Sequence, residues 1–176
     1  MKPEKYEQYD GICLTDTFQL NEHGDNDIFS QLFPENSERL QKQKKAPVRV
    51  IIGNPPYSAG QKDANDNAQN MNYPLLDKHI SETYISQSAT PPNKYDSYIK
   101  AFRWASDRLG ERDGIVAFIT NSGWIDKGSY SGFRKCLNDE FTDVFVLDLK
   151  GAIRGKSGEL AKREGQNVFD IMTGVA

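Results

Sequence analysis

Asn54, Pro55, Pro56 and Tyr57 place a neutral amide, two rigid imino acids and an aromatic ring in four consecutive positions. The side-chain oxygen of an asparagine accepts a hydrogen bond from an exocyclic amine. The Pro55 carbonyl offers a second acceptor, with no N–H on the same residue to compete for it. Two acceptors on one amine draw its lone pair out of conjugation with the ring that bears it. The nitrogen then becomes a better nucleophile toward an activated methyl group. Tyr57 adds a face on which a planar ring can stack, a contact worth about 1 to 3 kcal/mol in single-stranded nucleic-acid recognition. The tetrapeptide is suited to gripping a planar group that carries NH2.

Such a grip needs a rigid mount. Val48, Val50, Ile51 and Ile52 form an apolar run interrupted only by Arg49, the pattern of a strand buried on both faces of a parallel sheet. Gly53 ends the run. Pro55 and Pro56 forbid both continuation of the strand and an immediate helix, so the loop is stiff by construction. In open α/β sheets, ligands bind at the carboxyl ends of the strands, where Asn54 to Tyr57 sit.

The flanking chain reads as alternating elements. Ile12 to Phe18 predicts a short strand, and Asp25 to Phe33 a helical turn or two stopped by Pro34. Asn36 is placed to cap a helix through Lys45, whose terminal lysines suit the negative end of the helix dipole. Pro47 then releases the chain into the apolar strand. Ser58 to Lys94 is a long polar insertion with a helix from Leu75 to about Gln87. Within it, Gln61 to Asn72 has almost no apolar content and is expected to be mobile without substrate. It reads either as a lid over a bound base or as a solvated insertion.

A helix starting at Tyr95 or Asp96 carries Tyr98, Ile99, Phe102, Ala105 and Leu109 at helical spacing. Gly114 opens the next buried strand, whose carboxyl end brings Asn121, Ser122 and Trp124 beside the Asn54 loop. Ser129 or Tyr130 opens a helix to Asn138, and Asp143 to Leu149 predicts another strand. Gly151 to Gln166 is a loop with Arg154, Lys156, Lys162 and Arg163, suited to phosphate contact or simply to solvation. Asp148 and Lys150 read as ordinary polar residues of a strand end. His23 and His79 stand among polar residues without a partner at catalytic or metal spacing, which favours surface positions.

With 176 residues the chain is long enough for one domain with a core. A net charge of -3, an isoelectric point near 5.5 and a mean hydropathy of -0.69 argue against this piece gripping DNA by itself. Cys13 and Cys136 are distant in sequence and suggest neither a disulfide framework nor a zinc site. With no apolar leader and no run of 18 apolar residues, the chain reads as cytoplasmic.

The ordered segments carry a family resemblance. VRVIIGNPPY resembles motif IV of the S-adenosylmethionine-dependent amino-methyltransferases acting on N6 of adenine in DNA. Tyr95 to Leu109 resembles the helix of motif V, GIVAFITNSGW motif VI, VFVLDLKG motif VII and GQNVFDIMTGVA motif VIII. Together with NYPLLDKHISETY and NKYDSYIKAFRWASDRL, the set is most similar to the methyltransferase module of type ISP restriction-modification enzymes, and it covers most of the chain from Ile12 onward. NPPY alone also occurs in enzymes that methylate RNA bases or a protein glutamine. An asparagine at its head leans toward adenine rather than cytosine N4.

The resemblance implies an α/β fold, the C-terminal part of a Rossmann-like methyltransferase sheet with flanking helices, incomplete without upstream strands. Residues 1–46 would form the end of the motif III region and a helical connector. Residues 47–176 would form the catalytic half, with a flexible insertion at 58–94. It further implies that Asn54, Pro55, Pro56 and Tyr57 are catalytic, with DNA and S-adenosylmethionine as partner and cofactor of the full-length enzyme. YDGICLTDTFQL matches the end of motif III, with Asp16 and Phe18 at the cofactor adenine. Tyr98 and Phe102 stand where a motif V aromatic often packs on that adenine, core packing being the alternative. Phe169 stands where motif VIII often has an aromatic against the flipped base, a core-facing strand residue being the alternative. Arg154 and Lys156 are candidates for DNA phosphates. No GxG turn occurs in the chain. The cofactor-defining motifs are therefore expected upstream of Met1, leaving the piece inactive alone and prone to self-association through an unpaired sheet edge. A non-catalytic α/β scaffold module is the alternative from a different class.

Overall fold

The computed structural model describes Tyr9, residues 11–22, 32–56, 73–91 and 96–150, and Gly158, Glu159 and Lys162. Helix α1 spans Pro34–Lys45, strand β1 Val50–Gly53 and helix α2 Pro74–Ile80, which continues into a π-helical turn over Ser81–Ile85. Helix α3 spans Ser97–Leu109, strand β2 Ile115–Phe118, the short helix α4 Gly123–Asp126 and helix α5 Ser131–Glu140. Residues 25–31 of the helix expected over 25–33 and the segment 151–157 lie outside the described residues.

β1 and β2 pair in parallel, Val50 opposite Ile115 and Gly53 opposite Phe118. The connection between them carries α2 and α3, as a parallel pair requires a crossover. Burial on both faces was expected for β1, and the structure differs. Val50 and Ile52 are 55% and 77% exposed, and Ile115 in β2 is 61% exposed. Among the described residues the sheet has two strands, and burial alternates along both: Val50, Ile52 and Ile115 lie on an uncovered face, while Ile51, Val116 and Phe118 on the other face are partly buried, with Phe118 against Phe102 of α3.

Asn36 does not cap α1. The helix begins two residues earlier, with Pro34 in the first turn, where its missing N–H costs nothing. The Asn36 amide instead clasps Leu14: its Oδ1 accepts from the Leu14 N–H at 2.8 Å and its Nδ2 donates to the Leu14 carbonyl at 2.9 Å. This explains why Ile12 to Phe18 is no strand. Leu14 has both backbone groups committed to a side chain, residues 12–16 are irregular, and Phe18–Asn21 is a 3-10 turn.

α2 starts at Pro74 because its first amides are supplied with acceptors from afar. The Glu22 carboxylate takes the N–H groups of Leu75 and Leu76, each at 3.0 Å, and Asp77 takes that of Tyr73 at 3.3 Å. α3 begins after Asp96 and ends at Gly110, whose φ of 59° suits a residue without Cβ. α5 opens at Ser131, after a 3-10 turn over Gly128–Tyr130.

The core lies between the helices. Tyr73, Leu76, Ile80 and Tyr84 meet Tyr98 and Ile99 of α3, Trp124 of α4, and Phe133, Cys136 and Leu137 of α5. Its centre is aromatic. Phe133 meets Tyr84 at 5.0 Å and Trp124 at 5.4 Å edge-on, while Phe102 meets Phe118 at 5.1 Å and Phe133 at 5.2 Å. Each such pair adds about 0.5 to 1.5 kcal/mol to the burial of area. Gly132 lets α5 approach the π turn, since a Cβ there would run into the Tyr84 carbonyl.

One charged group is buried with them. Arg103, 5% exposed, gives its Nε to Asp107 at 2.8 Å and a terminal nitrogen to Glu140 at 2.6 Å, and lies over the Tyr84 ring. His79, expected at the surface, is 44% exposed and has its Nδ1 2.8 Å from the other Asp107 oxygen, 28 residues away in sequence.

Residues 143–149 form no strand, contrary to the sequence pattern. Phe145 and Leu147 are 92% and 73% exposed, and no strand among the described residues offers them a ladder. Asp148 accepts the Lys150 N–H at 2.8 Å, closing a local turn at which Lys150 has a φ of 57°. The coarse class is therefore mixed helix and strand around a small parallel sheet, consistent with part of a methyltransferase fold. No described helix is long and apolar enough to cross a membrane, and no group of three metal-binding side chains occurs among the described residues.

Candidate functional site

β1 launches the Asn54 loop level with the end of β2. The Gly53 carbonyl accepts the Ile119 N–H at 3.1 Å, and a Cβ on Gly53 would touch the Phe118 ring. Immediately beyond, Pro55 is buried while Asn54 and Pro56 are exposed. A loop of fixed φ is thus pinned at its middle and presents the Asn54 amide outward. Tyr57 lies outside the described residues, as do Arg154, Lys156 and Phe169.

The loop beside it, after β2, is braced internally. Asn121 Oδ1 accepts the Gly123 N–H at 2.7 Å, Trp124 Nε1 donates to the buried Thr120 hydroxyl at 3.1 Å, and Arg134 donates to the Trp124 and Lys127 carbonyls. Trp124 is 7% exposed, so it anchors the core. The two strand ends form a rigid rim.

A second cluster brings together residues far apart in sequence. Asp16 Oδ1 accepts the Phe18 N–H at 3.0 Å, and its Oδ2 accepts the Tyr73 hydroxyl at 2.8 Å. The Phe18 and Tyr73 rings meet edge to face at 5.2 Å. Lys100 lies over the Tyr73 ring at 5.4 Å and also binds Asp77. Burial, then the hydrogen bond to Asp16, pushes the Tyr73 phenol well above the ordinary tyrosine range, so it remains a donor. Asp16 and Phe18 are both partly buried. A carboxylate oxygen has two lone pairs, so each Asp16 oxygen keeps one acceptor position. A carboxylate beside an aromatic face fits an aminated heterocycle such as the adenine of a nucleoside cofactor.

Tyr73 was missed in the sequence. Its local signals are an aromatic ring just before a proline-initiated helix and its place in NYPLLDKHISETY, neither of which assigns it a role at the site.

Tyr98 is 1% exposed; burial and a hydrogen bond with Tyr130 push its phenol upward. Its ring supports the site from within the core. Phe102 is partly buried against Phe118, Trp124 and Phe133, at the carboxyl end of β2. A crevice of about 1730 Å³ runs along β2 between α3 and residues 143–149, and Phe102 and Trp124 line it. Neither Asn54 nor Asp16 does, so this space is the uncovered side of the sheet rather than the site of the amide.

The sequence profile of the Eco57I restriction-modification methylases matches residues 4–152. Three solved structures are similar over nearly the whole chain. A cryo-EM structure of a DrdV–DNA complex is 45% identical with a TM-score of 0.82, over 97% of this chain and 17% of that one. The ATP-dependent type ISP restriction-modification enzyme LlaBIII, bound to DNA, is 44% identical with a TM-score of 0.87, over 99% of this chain and 12% of that one. A nuclease-deletion mutant of the type ISP enzyme LlaGI, in complex with a DNA substrate mimic, is 39% identical with a TM-score of 0.86, over 99% and 14%. This chain therefore spans between 12% and 17% of the length of these structures. No curated protein matches it. The chain belongs to the Eco57I restriction-modification methylase family.

Proposed function

We propose that this member of the methylase family supplies the base-holding half of a DNA adenine-N6 methyltransferase within a larger restriction-modification enzyme. The observation that carries the reading is the loop after β1, with Pro55 buried and Asn54 exposed, at the carboxyl end of a parallel strand. That DrdV, LlaBIII and LlaGI are seen with DNA or a DNA mimic favours DNA over RNA or a protein glutamine as the bearer of the amine.

In this reading the target adenine leaves the duplex, at a cost of a few kcal/mol, and enters the rim at the ends of β1 and β2. The Asn54 amide oxygen and the Pro55 carbonyl accept the two hydrogens of N6, Tyr57 stacks on one ring face, and Phe169 covers the other. S-adenosylmethionine, when bound, supplies the activated methyl group. Asp16 and Phe18 hold its adenine, with Tyr98 and Phe102 as the aromatic packing behind it, and Arg154 and Lys156 meet DNA phosphates. Held by two acceptors, N6 gains nucleophilicity by orientation and gives up its proton to water after attack, so no strong base is required. Rate comes from positioning. The glycine-rich turn for the methionine part of the cofactor is provided by other parts of the complete enzyme, since this chain contains no GxG.

Asn54→Ala in the complete enzyme is expected to abolish methylation while leaving S-adenosylmethionine binding largely intact. Near-normal methylation by that variant would overturn the reading. Mapping the methylated base then separates N6-adenine from N4-cytosine. Micromolar S-adenosylmethionine binding by the isolated chain would refute the dependence on other parts, and its absence even in the complete enzyme would support a non-catalytic scaffold.

A further inference from the structure

We infer that Tyr73 is a positioning residue for cofactor recognition, holding the Asp16 carboxylate in the orientation that receives the 6-amino group of the cofactor adenine. The inference rests on the proposed role of Asp16 and extends it to a residue to which the sequence assigned no role.

Three contacts carry it. The Tyr73 hydroxyl donates to Asp16 Oδ2 at 2.8 Å across 57 residues of sequence, so the bond is tertiary and not a local turn. The opposite oxygen is fixed by the Phe18 N–H, which leaves the carboxylate plane set by two donors on its two oxygens. The Tyr73 ring, only 6% exposed, is held by the Phe18 edge and the Lys100 ammonium, so the hydroxyl has little freedom to swing away. A carboxylate held from both sides keeps one lone pair per oxygen in a defined direction, and an incoming amine meets it without reorganisation. Removing the phenolic hydroxyl frees Oδ2 to rotate and to take water in place of the amine. The ring packing is retained in Tyr73→Phe, which separates orientation of Asp16 from support of the core.

The experiment uses the complete enzyme and two probes, S-adenosylhomocysteine and its analogue with a 6-oxo group in place of the 6-amino group. Wild-type enzyme is expected to prefer the amino form. Tyr73→Phe should weaken S-adenosylhomocysteine by about tenfold, as expected for one lost hydrogen bond to a charged group, and leave the analogue unchanged. Preference between the probes thus falls, a change that a purely structural role would not produce. Equal weakening of both probes, or no weakening, overturns the inference about Tyr73. Asp16→Asn distinguishes the two levels. If it also leaves the preference untouched, the role of Asp16 is wrong and the inference falls with it; if it removes the preference while Tyr73→Phe does not, only Tyr73 is wrong.

Discussion

Asn36 holds Leu14 by both of its backbone groups, accepting from the N–H at 2.8 Å and donating to the carbonyl at 2.9 Å. A single amide side chain on α1 thereby does what a neighbouring strand would do for one residue. The clasp fixes the irregular segment two residues before Asp16, so its strength bears on where that carboxylate stands. Asn36→Ala is expected to destabilise the chain by about 1 kcal/mol, since an exposed bond contributes roughly 0.5 to 1.5 kcal/mol and the two here share one side chain. Denaturant unfolding measures it. No change in the unfolding midpoint would show that the segment is held by other contacts.

Arg103 makes a steeper prediction. Its guanidinium, 5% exposed, neutralises Asp107 and Glu140 together, and Asp107 also meets His79. Arg103→Ala strands two carboxylates near the core and should cost about 3 to 5 kcal/mol. Arg103→Lys keeps the charge but cannot serve both acceptors from one planar fork, so it should fall between the two. Equal stability of wild type and the alanine variant, by thermal or urea unfolding, would show that the network is not held in solution.

The buried phenols set the alkaline limb of stability. Burial pushes both Tyr84 and Tyr98 well above the ordinary value of 10.0. Above pH 10 the unfolded chain releases these protons and the folded chain keeps them. The folded state binds more protons there, and unfolding free energy decreases as pH rises. Stability should be level through neutral pH and decline from about pH 10, and after exposed tyrosines such as Tyr9 have ionised, the remaining phenolate absorbance should appear only together with unfolding. Tyr84→Phe should flatten the decline. Ionisation of all the tyrosines ahead of any loss of structure would contradict the burial of Tyr84 and Tyr98.

The uncovered sheet predicts the solution behaviour of the isolated chain. Ile52, Ile115, Phe145 and Leu147 are 77%, 61%, 92% and 73% exposed, and β1 and β2 form a sheet of only two strands among the described residues. Exposed apolar side chains and unpaired strand edges promote association. Light scattering should find dimers or larger species, and Ile52→Lys with Phe145→Lys should shift them toward monomer. A wild-type chain that stays monomeric over a wide concentration range would argue against this.

What could be read in the sequence was what the chain encodes locally. The apolar runs gave β1 and β2, helical spacing from Tyr98 to Leu109 gave α3, and the prolines gave a stiff loop after Gly53. Tyr98 and Phe102 belong to a core that the same periodicity announces, which Trp124 joins from the loop after β2. The misses share a physical cause in long-range pairing. Leu14 is taken by Asn36 from 22 residues away, and Tyr73 reaches Asp16 over 57. Residues 143–149 have the composition of a strand, yet composition supplies no partner.

The parallel register of Val50 with Ile115 also fixes an order of assembly. Pairing these strands closes a long loop, and that entropy is lost before any ladder bond forms. Contacts of α2 and its π turn with α3 and α5 join shorter stretches and bury the aromatic cluster. The helical layer should therefore condense first and serve as the template on which the strands settle. In pulsed hydrogen exchange during refolding, amides of α3 and α5 should gain protection before those of Ile51 to Gly53. The loop that presents Asn54 would then be among the last parts of the chain to reach its final place.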